Sequence, residues 1–149
     1  MKTFVHVRSA TPQDEQIVYE FICSLEETEL DPVAFRTVFL RNLADPEIHY
    51  FIAIQENTAV GFISCHCQYL LHHAGKIAEI QELYVRPEYR NQQIGRQLLA
   101  HVEQLAIQQH WINLEVTTNQ RRKDAHRFYQ SLDFQPSHYK FVKSLKLPA

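Results

Sequence analysis

Apolar positions in this chain recur with two periods, and the switches between them mark out its elements. The segment TFVHVRSA, residues 3–10, alternates apolar and polar side chains and predicts a strand. In TPQDEQIVYEFICSL, Ile17, Val18, Phe21, Ile22 and Leu25 form a helical stripe, with Thr11 suited to cap the helix and Pro12 to open it. After the acidic loop EETELDP, DPVAFRTVFLRNLADP predicts a second helix bracketed by Asp-Pro pairs. Three strand-like runs follow, IHYFIAIQE, AVGFISCHCQYLL and KIAEIQELYVRP, separated by the turn segments ENTAVG and HHAG. Residues 92–109 predict the most regular helix, with Ile94, Leu98, Leu99, Val102, Leu105 and Ala106 on one face. WINLEVTT predicts another strand, RRKDAHRFYQSL a helix, and FQPSHYKFVKSL a closing strand. The order β-α-α-β-β-β-α-β-α-β predicts an α/β (α+β) fold, a mixed sheet with helices on both faces. No repeat, linker or low-complexity segment divides residues 1–149, which predicts a single domain.

Composition narrows the partners. A chain of 149 residues can bury a real core. The net charge of −2, with nine histidines counted neutral, argues against nucleic acid, which usually meets a basic face. No apolar run is long enough to span a bilayer, and the start turns polar too early for a signal peptide, so no membrane partner is expected. Cys23, Cys65 and Cys67 are an odd count without a scaffold pattern, which predicts reduced thiols in a cytoplasm.

The stretch YVRPEYRNQQIGRQLL, residues 84–99, carries the first candidate chemistry. Pro87 ends the strand before it. The helix expected from about Gln92 starts with N–H groups that have no intrahelical partner, and these together with the helix dipole make an anion site. Gly95 lacks a Cβ and lets a bulky anion approach, while Arg90 and Arg96 add positive charge. A phosphate or pyrophosphate is the natural guest, and an ordinary strand-to-helix turn with solvated arginines is the bland alternative. Neither a GxGxxG nor a Walker A loop is present.

These residues also carry a resemblance. ELYVRPEYRNQQIGRQLL resembles the acetyl-coenzyme A signature of the Gcn5-related N-acetyltransferase (GNAT) superfamily: a strand ending in V-x-P, then R/Q-x-x-G-x-G/A, then an amphipathic helix. Arg90 and Gly95 match it, whereas Gln93 stands where the first glycine usually sits and Arg96 replaces a small residue. TNQRRKDAHRFYQSLDF resembles the late motif N-x-x-R-x-x-A-x-x-F-Y-x-x-x-G-F through Asn119, Arg122, Ala125, Phe128, Tyr129 and Phe134, with Asp133 in place of the glycine. LLHH, EIQEL, TNQRRKDAHRFY and SHYKFVKSL are most similar to the aminoalkylphosphonate N-acetyltransferases, as are AFR and NLADP.

The resemblance implies direct acetyl transfer from acetyl-coenzyme A to a primary amine. It implies coenzyme contacts from Leu83, Tyr84, Val85, Arg90, Asn91, Gln92, Gln93, Ile94, Gly95, Arg96, Asn119, Arg122, Ala125 and Phe128. Tyr129 is the implied acid for the leaving thiolate, with a buried aromatic as its plain alternative. Glu79 is the implied base, with a solvent-facing strand residue or an ammonium anchor as the alternative. Strict period-two geometry puts Glu79, Gln81, Leu83 and Val85 on one face and Ile80, Glu82 and Tyr84 on the other. Glu79 and Glu82 therefore share a face only if a bulge intervenes.

The implied acceptor region supplies Glu26, Glu27, Glu29, Arg36, His72 and His73, with a solvated loop as the plain alternative for the acidic run. A carboxylate suits an ammonium group, and an arginine suits a phosphonate through bidentate contacts. Polyamine, aminoglycoside and protein amines remain open as acceptors. A non-catalytic acyl-coenzyme A-binding sensor is the rival class, and turnover separates the two. Cys65-His66-Cys67 has poor zinc-site spacing and predicts no structural metal, while a divalent ion that assists the substrate stays open. Dimers are common among look-alikes, which implies a homodimer by analogy.

Overall fold

The computed structural model describes residues 4–146. It divides into two compact units, Met1–Val116 and Thr117–Ala149. The first unit holds a five-stranded sheet in the order β1-β2-β3-β4-β5, with β1 His6–Ser9, β2 Ile48–Gln55, β3 Thr58–Leu70, β4 Gly75–Val85 and β5 Leu114–Val116. β1 to β4 pair antiparallel and β5 joins β4 parallel, so the sheet is mixed as expected.

Helices α1 (Glu15–Glu26) and α2 (Pro32–Leu43) precede β2, and α3 (Ile94–Gln108) lies between β4 and β5. The entry to α1 follows from its opening residues. Asp14 accepts from the Thr11 backbone N–H at 2.7 Å and from Arg8 Nη1 and Nη2 at 2.8 and 2.9 Å. Pro12 begins the short 3-10 turn that leads into α1. Asp31 caps α2 by accepting from Ala34 N–H at 2.8 Å, ahead of Pro32 at the first helical position.

The sheet buries both faces. On one, Ile52, Phe62 and Tyr84 pack with Val18, Phe21 and Ile22 of α1 and Phe39 of α2. The Phe21 and Tyr84 rings lie 5.2 Å apart. Complete burial of each such side chain contributes roughly 1.5–3 kcal/mol. On the other face Ile63 is fully buried, and a Cβ on Gly61 would meet Leu98 Cδ1 of α3 at 3.1 Å. Cys65 and Cys67 lie in the core, as small apolar side chains do.

Two irregularities break the strand alternation. Between β2 and β3 the register passes from Ala53↔Gly61 to Ile54↔Ala59, leaving Val60 unmatched. Between β3 and β4 it passes from Ser64↔Glu82 to Cys65↔Ile80, leaving Gln81 unmatched. The extra residue on β4 is a bulge, and it reverses the parity of everything before it. Glu79 therefore shares a face with Glu82 and Tyr84, while Ile80 joins Leu83 and Val85. This corrects the strict alternation expected from the sequence.

Three boundaries also differ. α3 begins at Ile94 rather than Gln92, because Gln93 takes a left-handed conformation that no α-helix continues. β5 covers only Leu114–Val116 of WINLEVTT. Residues 135–146 form no strand, so the observed order ends on α4 (Lys123–Ser131) and the closing strand is overturned. Pro136 has no N–H to give a ladder, and the neighbours Phe141 and Val142 are both exposed, so alternation has no buried face to serve there. In the second unit α4 stops where Asp133 turns left-handed at φ 70°, the role expected of it in place of glycine.

Candidate active site

The short reach of β5 leaves part of the β4 edge without a strand partner among the described residues. β5 pairs with β4 only along Ala78, Glu79 and Ile80. From Gln81 to Val85 no described strand pairs with β4 on that side, so its backbone edge can bond an extended ligand in strand fashion. That edge runs past Pro87 into the start of α3.

The α3 entrance presents backbone N–H groups outside the helical ladder. Asn91 and Gln93 both have positive φ, 64° and 67°. No side chain caps the helix, and its first backbone bond runs from Gln97 N–H to the Gln93 carbonyl. The N–H groups of Ile94, Gly95 and Arg96 therefore lie ahead of the helical ladder, at the positive end of its dipole. Gly95 has no positive φ. Its use is the missing side chain rather than conformational freedom. Arg96 is exposed. Arg90 folds back instead: its Nε donates to the Val85 carbonyl at 3.0 Å, and its guanidinium stands 5.8 Å from the Tyr84 ring.

On the face shared with α1 and α2, a polar row crosses the sheet. Tyr50 of β2 is matched with Ser64, and Ser64 with Glu82. Ser64 is fully buried. Its hydroxyl donates to Glu82 Oε1 and accepts from Glu82 N–H at 3.0 Å. The Tyr50 hydroxyl accepts from Asn42 Nδ2 at 2.7 Å. Burial pushes the Tyr50 phenol above its ordinary value, the Asn42 hydrogen bond pulls it down, and the Glu82 charge raises it further. One step along, His66, Glu79 and Glu115 form the next row. Glu79 Oε1 accepts from Gln81 Nε2 at 2.7 Å.

Sequence reading missed Glu82, Ser64, Tyr50 and Asn42 as a group. The bulge is the reason, since alternation alone sends Glu82 away from Glu79. The CHC pattern around His66 drew attention to the cysteines instead. There the Cys65 thiol bonds to Cys67 and holds it down at about 5, with His49 and Lys76 adding to the effect, whereas Cys65 is pushed up. Among the described residues no group of three or more His, Cys, Asp or Glu is placed to hold a metal ion.

The expected acceptor residues stand on separate elements. Glu26 is exposed at the end of α1. Arg36 on α2 is exposed, with its Nε 3.4 Å from Glu15 Oε1. His72 and His73 sit in the β3–β4 turn with ring centroids 4.4 Å apart, and His73 Nε2 lies 3.6 Å from Glu115 Oε2.

In the second unit, Asn119 forms a turn ahead of α4. Its Oδ1 accepts from Arg121 N–H at 2.9 Å, its carbonyl accepts from Arg122 N–H at 3.0 Å, and His126 Nε2 lies 2.8 Å from the same carbonyl. Arg122 is exposed, while Ala125 and Phe128 are half-buried. Tyr129 is buried, with the Phe128 and Phe134 rings at 5.2 and 5.5 Å. Burial pushes its phenol up to about 12, against a smaller lowering by the Arg122 charge. Tyr129 therefore keeps its proton throughout the neutral range.

Known proteins resemble this chain in sequence and in fold. Residues 15–134 match the acetyltransferase (GNAT) family. A Salmonella typhimurium protein named aminoalkylphosphonate N-acetyltransferase is 48% identical over 139 residues, covering 93% of this chain and 90% of its own. A Bacillus halodurans structure described as a transcriptional regulator superposes with TM-score 0.87 at 23% identity, covering 95% of this chain and all of that one. An aminoglycoside acetyltransferase from an uncultured soil sample, in complex with sisomicin, gives TM-score 0.80 at 18% identity over 96% and 97% of the two chains. At such identities the last two bear on fold alone.

Proposed function

The chain belongs to the acetyltransferase (GNAT) family, whose cosubstrate is acetyl-coenzyme A, and we propose that its acceptor is the primary amine of an aminoalkylphosphonate. The Salmonella relative, matched over nearly the whole of both chains, is the observation that carries this acceptor. The open β4 edge from Gln81 to Val85 and the uncapped α3 start support the coenzyme half of the reading. In this reading the pantetheine arm bonds along Leu83, Tyr84 and Val85. The pyrophosphate takes the N–H groups from Asn91 to Arg96 and displaces Arg90 from Val85 toward its own charge. Asn119, Arg122, Ala125 and Phe128 are assigned to the coenzyme by their motif. The family match runs through both compact units, which supports reading residues 1–149 as one catalytic domain.

The chemistry sets the demands. An alkylammonium with a pKa of about 10 is only about one part in a thousand neutral at pH 7, a cost of roughly 4 kcal/mol that a base can offset. The proton goes to a carboxylate on β4, where Glu79 and Glu82 stand on one face. The amine then attacks the thioester carbonyl, the new C–N bond forms, and the C–S bond breaks. Tyr129 supplies the proton to the departing thiolate, and the second proton that the nitrogen sheds as the amide forms returns to the Tyr129 oxygen. Glu26 is assigned to the ammonium side of the acceptor, and Arg36, His72 and His73 to the phosphonate, where arginine bonds two oxygens at once. The phosphonate could also be held through a divalent ion.

Thiol release from acetyl-coenzyme A tests the whole reading. The amine panel contains aminomethylphosphonate, 2-aminoethylphosphonate, spermidine, an aminoglycoside and a short peptide, each with and without a divalent metal. Selective turnover of the two phosphonates is expected. Preference for another amine rejects the acceptor and keeps the enzyme, and binding without turnover of any amine replaces the enzyme with a sensor. Sedimentation of the same sample reads whether the chain pairs as a homodimer.

A further inference from the structure

We propose that Glu82, held in place by Ser64, seats the acceptor's ammonium group and takes its proton. This rests on the acetyl-transfer reading and assigns the base, moving it from Glu79, which the sequence singles out, to a residue three positions later.

Three observations separate the two carboxylates. The first is position. Glu79 lies within the stretch that β5 covers, matched with Glu115, whereas Glu82 lies beyond Ile80, the last paired residue. It therefore stands beside the open edge where the thioester arm would run. The second is support. Ser64 is fully buried and spends both its donor and its acceptor on Glu82, one on the carboxylate and one on the backbone N–H. A solvent-facing glutamate has no need of such a mount, which fixes the carboxylate against the strand. The third is availability. Ser64 engages Oε1, and Oε2 has no partner among the described residues, whereas the Glu79 carboxylate is bonded by Gln81.

The step balances simply. The ammonium donates an N–H to Glu82 Oε2, that bond breaks, the proton stays on Oε2, and the electron pair remains on nitrogen for attack. The Ser64 proton stays on Oγ, bonded to Oε1, and leaves Oε2 to receive the ammonium. The titratable groups facing this site are Tyr50 on β2, His66 on β3, Glu79 on β4 and Glu115 on β5, with Asn42 of α2 beyond Tyr50. Ser64 acts through Glu82 and is a positioning residue.

The test is the pH profile of kcat/KM for wild type, Glu82→Gln, Glu79→Gln and Ser64→Ala, using whichever amine of the panel turns over best, with acetyl-coenzyme A affinity measured by calorimetry on each. Glu82→Gln should lose on the order of 100-fold or more at pH 7 and regain about tenfold per pH unit until the amine deprotonates unaided. Ser64→Ala should lower kcat with acetyl-coenzyme A affinity unchanged and the acid limb retained, and Glu79→Gln should leave that limb where it is. If Glu82→Gln keeps the wild-type profile, or the loss and recovery appear in Glu79→Gln instead, the assignment is overturned. Should Glu82→Gln fail to bind the coenzyme, Glu82→Asp replaces it: a reduced kcat with the limb retained supports the base, and an unchanged kcat removes it. A wild type silent toward every amine sinks the acetyl-transfer reading itself, and Glu82's role with it. An active wild type beside an equally active Glu82→Gln sinks Glu82 alone.

Discussion

Asn91 and Gln93 hold left-handed backbone two residues apart, at φ 64° and 67°, and between them they aim the entrance of α3. Asparagine visits this region readily, whereas glutamine stands there at a cost of about 1 kcal/mol. A β-branched side chain tolerates it far less. Gln93→Val should lower stability by about 1–3 kcal/mol and weaken acetyl-coenzyme A binding, because the loop that gathers the N–H groups can no longer hold its shape. Urea denaturation and calorimetry on the same variant check both halves. Unchanged coenzyme affinity with the stability loss present would detach the loop from coenzyme binding.

Tyr129→Phe separates chemistry from packing. If the hydroxyl protonates the leaving thiolate, kcat should fall by about 100-fold or more while acetyl-coenzyme A affinity holds. A second readout follows from burial, which pushes this phenol up to about 12 from an ordinary value near 10. A raised folded-state value means that the associated stability is fully present below pH 10 and lost as pH climbs toward 12. Melting temperatures over that window should fall more steeply for wild type than for Tyr129→Phe.

Asp14 predicts the opposite pH behaviour. The Arg8 guanidinium holds its carboxyl below the usual range, the cost of burial pulls the other way, and the Thr11 N–H assists the lowering. A lowered folded-state value means stability present above the ordinary carboxylate range, near 4, and lost as pH falls through the native value. Asp14→Asn should cost about 1–3 kcal/mol at pH 7, since it loosens both the Arg8 pair and the turn into α1. Denaturation at pH 7 and again at pH 3 should show the gap between variant and wild type shrinking in acid.

Gly61→Ala tests the contact between β3 and α3. An added Cβ would lie 3.0 Å from the Tyr84 carbonyl and 3.1 Å from Leu98 Cδ1. A carbonyl in the β3–β4 ladder has little room to retreat, so a loss of about 1–3 kcal/mol is expected. A lower urea midpoint with an unchanged slope would register it.

Much of this was legible in the chain because it depends on local patterns. The stripe of Val18, Phe21 and Ile22 does face the sheet, and Asp31-Pro32 does open α2. The glycine-like role of Asp133 also followed from its motif. What escaped depends on partners rather than patterns. A strand exists only where another backbone completes its ladder, and hydropathy in FQPSHYKFVKSL carries no record of whether one is there. The Ser64–Glu82 bond escaped for a related reason. It joins residues 18 positions apart, and only the register of β3 on β4 brings them together. Candidate coenzyme residues formed contiguous runs and were easy to name. Acceptor residues come from elements distant in sequence, and proximity among them is a property of the fold.

The unmatched Gln81 acts as a phase shift in a two-beat rhythm. Upstream of it β4 keeps one beat, downstream the other, and the join falls within one residue of where β5 lets go. The strand thus has a half that β5 covers and a half whose edge is open, each internally regular. Substitutions that respect alternation in one half break it in the other. Deleting the single residue at 81 would bring the whole strand into step while leaving every matched pair, and the face shared by Glu79 and Glu82, as it is.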